Sequence, residues 1–462
     1  MTAPLFFNAF VMNTASHIQH GLWRHPDARQ DEFNDVQLWI DLAKTLEAGL
    51  FDAAFFADVV GLYGPRGGSY ESNAREGLQI PSNDPSVLLA ALATHTEHLG
   101  LAFTSSVLQA HPFEFARRVS TLDHISKGRV AWNIVTSTQE NAARNFGLDR
   151  LTPHDERYEW AEEYTDVTYK LWEGSWDDDA LVRDRERGIF SHADRIHRIN
   201  HMGKRYSVEG PHLPSPSLQR TPLLFQAGSS GAGRVFAARN AEAQFIATPS
   251  PQVAAELIAD TRRLAVEHGR LPEDIKFFQG LSFSIGSTEE EAKRKERELD
   301  EWISVEGFLT HSTLGVNQED GEPYPSETLL RDIETNGGQS GIDWLRRSEP
   351  GREPTVADLG RLVANRHRRV VGTPEQIADS LTEWQQAGVD GINVINWTLP
   401  GTYVEFVEQL LPTLQQRGLA KREYTPGTLR RKIFGYDHLN ERHPAAQYRG
   451  AFRPERAELL EA

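Results

Sequence analysis

Residues 99–137, LGLAFTSSVLQAHPFEFARRVSTLDHISKGRVAWNIVTS, contain the pattern that decides the fold. Two apolar runs, Leu99–Leu108 and Arg129–Ser137, lie on either side of an amphipathic segment, Phe113–Ile125. Nearly continuous apolar runs of this length are typical of parallel strands that are buried on both faces. A strand, a helix and a second strand form the repeating unit of α/β proteins, so this stretch predicts a parallel sheet covered by helices.

The same alternation continues over most of the chain. The other predicted strands are Leu5–Val11, Phe51–Val59, Pro222–Ala227, Gln244–Thr248, Ile275–Ile285 and Gly391–Trp397. The other predicted helices are Val36–Leu46, Ser86–His95, Tyr158–Trp172, Val235–Asn240, Val253–His268, Glu289–Trp302 and Glu375–Gln386. About eight units suit either a doubly wound sheet or a closed barrel, and the count favours a single (β/α)8 TIM barrel of the α/β class.

Three segments interrupt the alternation. Residues 61–81 are rich in Gly, Pro and Ser, residues 174–221 are polar, and residues 307–369 are long and weakly periodic. Loops of this length in a compact domain usually cover or line a functional site. We therefore predict a barrel over residues 1–420, with these insertions at its C-terminal face, followed by a C-terminal arm over residues 421–462.

Composition narrows the range of functions. The 462 residues contain 49 Lys and Arg against 66 Asp and Glu, which gives a net charge of −17, and no Cys. The negative charge disfavours nucleic acid and anionic membranes as partners. The lack of Cys excludes disulfides, thiolate metal sites and cysteine nucleophiles. No apolar run approaches 18 residues and the first residues do not resemble a signal peptide, so we expect a cytoplasmic protein.

Polar residues gather where the predicted strands end, which is where active sites of TIM barrels lie. They are Asn13, Thr14, Ser16, His17 and His20 after the first strand, Asp58 and Tyr63 after the second, Thr104, Ser105 and Ser106 at the third, Asn133, Thr136 and Ser137 at the fourth, and Asn396 and Trp397 at the eighth. Turns also favour Ser, Thr, Asn and Gly, so each residue taken alone is compatible with an ordinary turn. Together they predict a pocket with a polar rim.

The run GSSGAGR at residues 228–234 is the best candidate for a phosphate site. Its glycines allow close approach to the backbone, its serines donate hydrogen bonds, and a helix N-terminus follows. It matches neither the dinucleotide fingerprint nor the Walker loop, and a plain strand-to-helix turn is the alternative. His154 and Tyr158 lie four residues apart at a helix start and share a face, so they are either a second part of that site or a surface pair.

Metal and hydrolase motifs are missing from the sequence. His17 with His20, and His197 with His201, have suggestive spacings, but no His-Glu-x-x-His helix and no recognisable carboxylate ligand set accompany them. The Gly-x-Ser-x-Gly elbow of hydrolases is also missing. We therefore predict no metal site.

Several longer motifs carry a family resemblance. They are NAFVMNTASHIQHGLWRHP at 8–26, FDAAFFADVVG at 51–61, HPFEFARRVSTLDHISKGRVAWNIVTS at 111–137, HDERYEWAEEY at 154–164, PLLFQAGSSGAGRVFAARNAE at 222–242 and DGINVINWTLPGTYVEFVEQLLPTLQQRG at 390–418. The chain resembles the FMN-dependent two-component monooxygenases of the bacterial luciferase-like superfamily from about Phe7 to about Gly435. The most similar branch contains the long-chain alkane, nitrilotriacetate, dibenzothiophene-sulfone and dimethyl-sulfide monooxygenases.

The resemblance implies a specific reaction. FMNH2 comes from a separate NAD(P)H:flavin reductase, O2 adds to the flavin to give a C4a-(hydro)peroxide, and one oxygen atom enters a small organic substrate. It also implies a homodimer or homotetramer without a metal. Two alternatives within the superfamily are a coenzyme F420-dependent oxidoreductase and a non-catalytic flavin-binding barrel.

The resemblance also implies roles for individual residues. The implied FMN-binding positions are Asp58, Thr104, Ser137, His154, Tyr158, Ser229 and Ser230. The implied catalytic residues are His311, which aligns with a family histidine that faces the flavin, and His17. The predicted substrate-binding residues are Thr14, Tyr63, Gln79, Asn133 and Trp397. Thr14 stands where the alkane enzyme has a cysteine, so the chain departs from that enzyme at the first-strand loop.

Overall fold

A computed structural model describes residues 3–63, 70–228, 230–312, 324–333, 345–346, 351–364 and 369–453. Eight parallel strands form its centre: β1 Phe6–Met12, β2 Ala53–Ala57, β3 Gly100–Ser106, β4 Val130–Val135, β5 Leu223–Gln226, β6 Ala243–Ile246, β7 Lys276–Ile285 and β8 Gly391–Ile395. Each strand pairs with the next, and β1 also pairs with β8, with Phe10 opposite Ile395. The sheet is therefore a closed barrel rather than a doubly wound sheet, which confirms the TIM-barrel prediction.

Eight helical segments surround the barrel. They are α1 Val36–Ala48, α2 Pro85–Ala93, α3 Pro112–Ser126, α4 His154–Tyr169, α5 Gly231–Asn240, α6 Pro251–Glu267, α7 Pro374–Gln386, and α8, which comprises Gly401–Glu405, the π-helical turn Phe406–Leu410 and Leu411–Gln416. Side-chain caps mark many helix starts. Asp35 accepts from Gln37 N–H before α1, and Ser230 accepts from Gly233 N–H before α5.

The insertion between β7 and α7 contains more structure than the sequence predicts. The helix predicted at Glu289–Trp302 exists as Glu289–Asp300, but it packs against an additional strand, Arg369–Gly372, which pairs with the distal end of β7. Two further helices, Val305–Ser312 and Val356–Ala364, pack against each other in this insertion. Weak periodicity concealed these short elements because their stability comes from mutual packing.

The barrel interior is filled by aromatic and aliphatic side chains from alternate strand positions. Phe10, Phe55, Phe225 and Phe278 belong to this inner cluster, and so does Leu429 from beyond the last barrel helix. Leu429 lies in the short helix Leu429–Phe434 and approaches Gly100 at the start of β3. The C-terminal segment therefore closes the N-terminal end of the barrel, so the opposite end is available for a site.

Two smaller features complete the fold. Antiparallel pairs Leu181–Asp184 with Ile189–Ser191, and His201–Met202 with Ser207–Val208, lie in the insertion between β4 and β5. Across the described ranges, no helix has the length and apolar character needed to cross a membrane.

Candidate active site

A cavity of about 250 Å3 lies at the C-terminal ends of β2 to β5. Its apolar wall includes Val59, Ile134 and Val135. The polar side chains that line it are Asp58, Tyr63, Ser106, Gln109, Thr136, Ser137, Thr138, Gln139, Tyr158 and Gln226. A cavity with an apolar wall and converging polar groups at this end of a TIM barrel has the position and chemistry of an active site.

Asp58 is the acidic group of this cavity. Burial raises the pKa of its carboxyl to about 7, and the negative charge of Asp84 adds to the rise. The Gln109 side chain opposes the rise by donating a hydrogen bond from Nε2 to Asp58 Oδ2 at 3.3 Å. Burial also raises the pKa of Tyr63, to about 12, so that phenol stays protonated at neutral pH. The cavity therefore contains one carboxyl that titrates near neutrality.

Ser137 occupies a strained position at the end of β4. Its φ is +56°, in the left-handed region that few non-glycine residues adopt. The Ser137 hydroxyl donates to Ser106 Oγ at 2.8 Å, and the buried Arg157 guanidinium donates to the Ser137 carbonyl. These bonds hold the loop against the strain and present residues 136–139 to the cavity.

The residues predicted to hold a phosphate come together at one end of the cavity. His154 Nε2 lies 3.2 Å from Ser230 Oγ, and the His154 and Tyr158 rings are in edge contact. A Cβ atom at Gly228 would lie 2.7 Å from the Tyr158 hydroxyl oxygen, and one at Gly233 2.8 Å from it, so a side chain at either position would displace that hydroxyl. Ser229 lies outside the described residues.

The predicted catalytic residue His311 lies beside His20 rather than His17. Nδ1 of His311 is 2.8 Å from Nε2 of His20, whose Nδ1 is 3.0 Å from Ser16 Oγ. The edge of Tyr63, which lines the cavity, contacts the His311 ring at a centroid distance of 4.4 Å. The His17 ring instead packs on Phe10, with ring centroids 4.9 Å apart.

Gly307 explains how the insertion reaches the barrel mouth. It lies one helical turn before His311, on the same face of Val305–Ser312. A Cβ atom at Gly307 would lie 2.9 Å from the Cβ of His20. The missing side chain therefore permits the close helix approach that brings His311 to His20.

Other predicted residues lie away from the main cavity. Asn133 donates to Thr104 Oγ1 at 2.9 Å inside the barrel, and neither lines the cavity. Thr14 donates to the Pro81 carbonyl, and Gln79 has a φ of +53° beside Ser16. Trp397 is buried, donates to the Phe283 carbonyl and stacks on Arg369. A small separate cavity is lined by Thr14, His17 and Trp397.

The sequence analysis missed three residues of this region and one contact. Gln109, Gln139 and Gln226 line the cavity, and each follows or ends a predicted strand within a few residues. Their positions at or just after strand ends could therefore have identified these three glutamines from the sequence. His20 was noted in the first loop, but its contact with His311 spans 291 positions and has no local signature. Among the described residues, no group of three or more His, Asp or Glu side chains has the arrangement of a metal site.

Comparison with known proteins identifies the family. The family model described as luciferase-like monooxygenase matches residues 12–391. The chain belongs to the luciferase-like monooxygenase family. This membership confirms the resemblance that the sequence motifs indicated, and it identifies the chain as an enzyme of that family.

Curated relatives of this luciferase-like monooxygenase match over nearly the whole chain. The long-chain alkane monooxygenase of Geobacillus thermodenitrificans is 42% identical over 452 residues, covering 97% of this chain and 99% of the relative. The dimethyl-sulfide monooxygenase of Hyphomicrobium sulfonivorans is 41% identical and covers 98% of this chain and 95% of its own. Nitrilotriacetate monooxygenase component A of Aminobacter aminovorans is 34% identical, with 93% and 95% covered.

Solved structures agree with this assignment. The crystal structure of the dimethyl-sulfide enzyme superposes with a TM-score of 0.89, at 41% identity, and covers 97% of this chain and 96% of that one. A riboflavin lyase with modified FMN and riboflavin superposes with a TM-score of 0.86, at 35% identity, with 96% and 99% covered. An F420-dependent reductase at 14% identity shares the fold alone, with a TM-score of 0.53.

Proposed function

We propose that this luciferase-like monooxygenase is the oxygenase component of a two-component system. It uses reduced FMN and O2 to insert one oxygen atom into a small organic substrate. The family membership supports the monooxygenase class, and the riboflavin lyase, which carries FMN in a barrel of the same shape, supports the cofactor.

The observation that carries the proposal is that three groups of polar residues lie in or next to one cavity at the C-terminal end of the barrel. His154, Tyr158 and Ser230 form a polar end beside a helix N-terminus, suited to the FMN phosphate. Asp58 and Ser137 line the cavity itself, which is suited to the ring system. The His20–His311 pair lies beyond Tyr63, where a substrate would meet the ring.

The described residues fit a flavin in two respects. The Gln226 side chain lines the cavity, is buried, and leaves Oε1 without a hydrogen-bond partner within the described part of the chain, so that oxygen is available to a ring N–H donor. Gly228 and Gly233 have no side chain, which allows the Tyr158 hydroxyl to lie against this loop beside the helix N-terminus where a phosphate would bind. Ser137, Tyr158 and Ser230 would then hold ring and phosphate oxygens.

Reduced FMN supplies the electrons and the carbon at which O2 reacts, so the protein provides position, polarity and protons. The apolar wall of Val59, Ile134 and Val135 excludes water from the reacting face. With the cofactor bound, His311 would act as a proton donor at the cavity mouth, and its Nδ1 would regain a proton from Nε2 of His20, whose Nδ1 contacts the Ser16 hydroxyl. Asp58 would be the acid–base group in the cavity that holds the ring.

The partners follow from the same proposal. Reduced FMN arrives from a separate NAD(P)H:flavin reductase, in keeping with a relative named as component A. Assembly as a homodimer or homotetramer and a cytoplasmic location stay predictions, which light scattering of the purified protein and fractionation of its host would test.

The decisive experiment is a substrate panel. Purified protein, a flavin reductase, NADH, FMN and O2 are incubated with a linear alkane, a dialkyl sulfide, an aryl sulfone and an aminopolycarboxylate. We expect one substrate class to gain one oxygen atom, detected by mass, with 18O from labelled O2. Parallel titrations compare FMN with coenzyme F420. Binding of F420 with O2-independent hydride transfer would replace this proposal by the oxidoreductase alternative, and flavin binding without turnover by the non-catalytic one.

A further inference from the structure

We propose that Gln109 is a positioning residue that holds the Asp58 carboxyl in a fixed orientation at the cavity where the ring would bind. The inference rests on the proposed function for the identity of the ring. The contacts of Gln109 themselves connect the ends of three strands, and they do not depend on a ligand.

Both the oxygen and the nitrogen of the Gln109 carboxamide make hydrogen bonds. Oε1 accepts from the Ser106 backbone N–H at 2.5 Å and from the Ser105 hydroxyl at 3.1 Å. A backbone N–H can only donate, so the amide orientation is determined and Nε2 must point the other way. Nε2 then donates to Asp58 Oδ2 at 3.3 Å.

The contact couples three neighbouring strands at the cavity. Asp58 follows β2, Ser105 and Ser106 end β3, and Ser137 after β4 donates to the Ser106 hydroxyl. Asp58, Ser106, Gln109 and Ser137 all line the same cavity. Gln109 is therefore the link between the acidic group and the strained loop that carries Ser137.

The charges around Asp58 give Gln109 a measurable effect. Burial and Asp84, which caps α2 and lies 3.7 Å from Arg118, raise the pKa of Asp58. Tyr63 lines the same cavity and stays neutral in this range. The Gln109 bond opposes the rise because it stabilises the ionised carboxylate. Removing that donor therefore shifts the protonation equilibrium of Asp58 towards the neutral acid.

The charge of Asp58 affects how well the cavity accepts an anionic cofactor ring. An ionised Asp58 repels an anionic reduced flavin ring in a cavity of low dielectric constant, whereas a neutral Asp58 does not. Gln109 therefore lowers the pH above which the cavity discriminates against the anionic form of the ring. Binding of reduced FMN weakens above that pH.

The first test measures the protonation of Asp58 without a ligand. The carboxyl C=O infrared band that disappears in Asp58→Asn is titrated with pH in the wild type, Gln109→Leu and Gln109→Glu. We expect the midpoint to rise by about one pH unit in Gln109→Leu, a roughly tenfold smaller acid dissociation constant, since a charge-assisted bond is lost. Gln109→Glu keeps an acceptor for the Ser106 N–H and raises the midpoint further. Gln109→Glu provides the measurement if Gln109→Leu does not fold.

The matched control is Gln226→Leu, the same change at another glutamine of the cavity, which does not contribute to the pKa shift of Asp58. Its midpoint should equal that of the wild type. An unchanged midpoint in both Gln109 variants would overturn the proposal, as would an equal rise in Gln226→Leu.

The second test follows the affinity for reduced FMN against pH under anaerobic conditions. We expect the binding midpoint to move with the infrared midpoint in each Gln109 variant. If the infrared midpoint moves but no variant, nor the wild type, binds reduced FMN at any pH, the positioning role stands and the proposed function fails. If reduced FMN binds with a pH midpoint that Gln109→Leu leaves in place, the positioning role fails and the proposed function stands.

Discussion

Nε2 of His20 and Nδ1 of His311 lie 2.8 Å apart at the mouth of the barrel. At this distance one nitrogen must donate and the other accept, because two facing N–H groups would repel. The pair therefore holds a single proton between its rings, and Ser16 contacts the opposite nitrogen of His20. A proton delivered by His311 can be replaced along this path.

His311→Ala should uncouple the enzyme while leaving flavin binding intact. A positioned general acid contributes about 10²–10⁴-fold, so oxygenated product per NADH should fall by about 10²-fold. NADH and O2 consumption should continue, with H2O2 as the product. The measurement compares product, NADH and H2O2 in one reaction. Equal product yield per NADH in mutant and wild type would show that His311 has no such role.

His20→Ala should also lower the product yield, but by less than His311→Ala, because His311 remains and loses only its partner. The double variant should resemble His311→Ala alone, since the two residues act as one unit. His17→Ala is the comparison: its ring packs on Phe10, so we expect a smaller loss of coupling. A larger loss in His17→Ala than in His20→Ala would reverse this assignment.

Ser230→Ala should weaken FMN binding about ten-fold or more and barely change riboflavin binding. The hydroxyl lies beside His154 and would bond the phosphate, and a charge-assisted hydrogen bond is worth about 1.5–3 kcal/mol. Ser250→Ala is the matched control, because Ser250 caps α6 in the same way and touches no predicted site residue. Equal losses of FMN and riboflavin affinity would show that Ser230 does not bind the phosphate.

Asp58→Asn should stabilise the protein at alkaline pH and change little near pH 4. The folded-state pKa of Asp58, about 7, lies above its ordinary value, so folding favours the protonated acid. The unfolding free energy of the wild type should therefore decline as pH rises from about 4 to about 7. At pH 8 the variant should be more stable by about 4 kcal/mol, because the pKa of Asp58 is raised by about three pH units and each unit is worth about 1.4 kcal/mol; urea unfolding measures the difference. A parallel pH dependence in variant and wild type would show that Asp58 is not the group responsible for the decline.

Arg430→Met should destabilise the barrel by about 3–5 kcal/mol, because it leaves the buried Glu242 carboxylate without its partner. Arg430 is fully buried and donates to both Glu242 oxygens, at 2.7 and 2.9 Å. Adding Glu242→Gln should recover part of the loss, since the unpaired charge is then removed. Denaturant unfolding of both variants measures the effect, and a double variant no more stable than Arg430→Met would argue against it.

The strand and helix order of this enzyme was determined by local pattern. Apolar runs such as Leu99–Leu108 predict buried strands wherever they occur, and eight of them in alternation with helices predict closure. The helix start at His154 likewise placed His154 and Tyr158 on one face. These features depend on neighbours within a few residues, so the local sequence is enough to predict them.

Only the tertiary structure decided which polar residues meet. Gly307 brings the helix Val305–Ser312 against the first-strand loop, and through that contact His311 reaches His20 instead of His17. The short strand Arg369–Gly372 exists because β7 offers it a partner. The pKa of Asp58 rises to about 7 because the folded chain buries its carboxyl and places Asp84, at the start of α2, near it. Each of these depends on groups far apart in the chain, whose distances and burial arise only when the barrel closes.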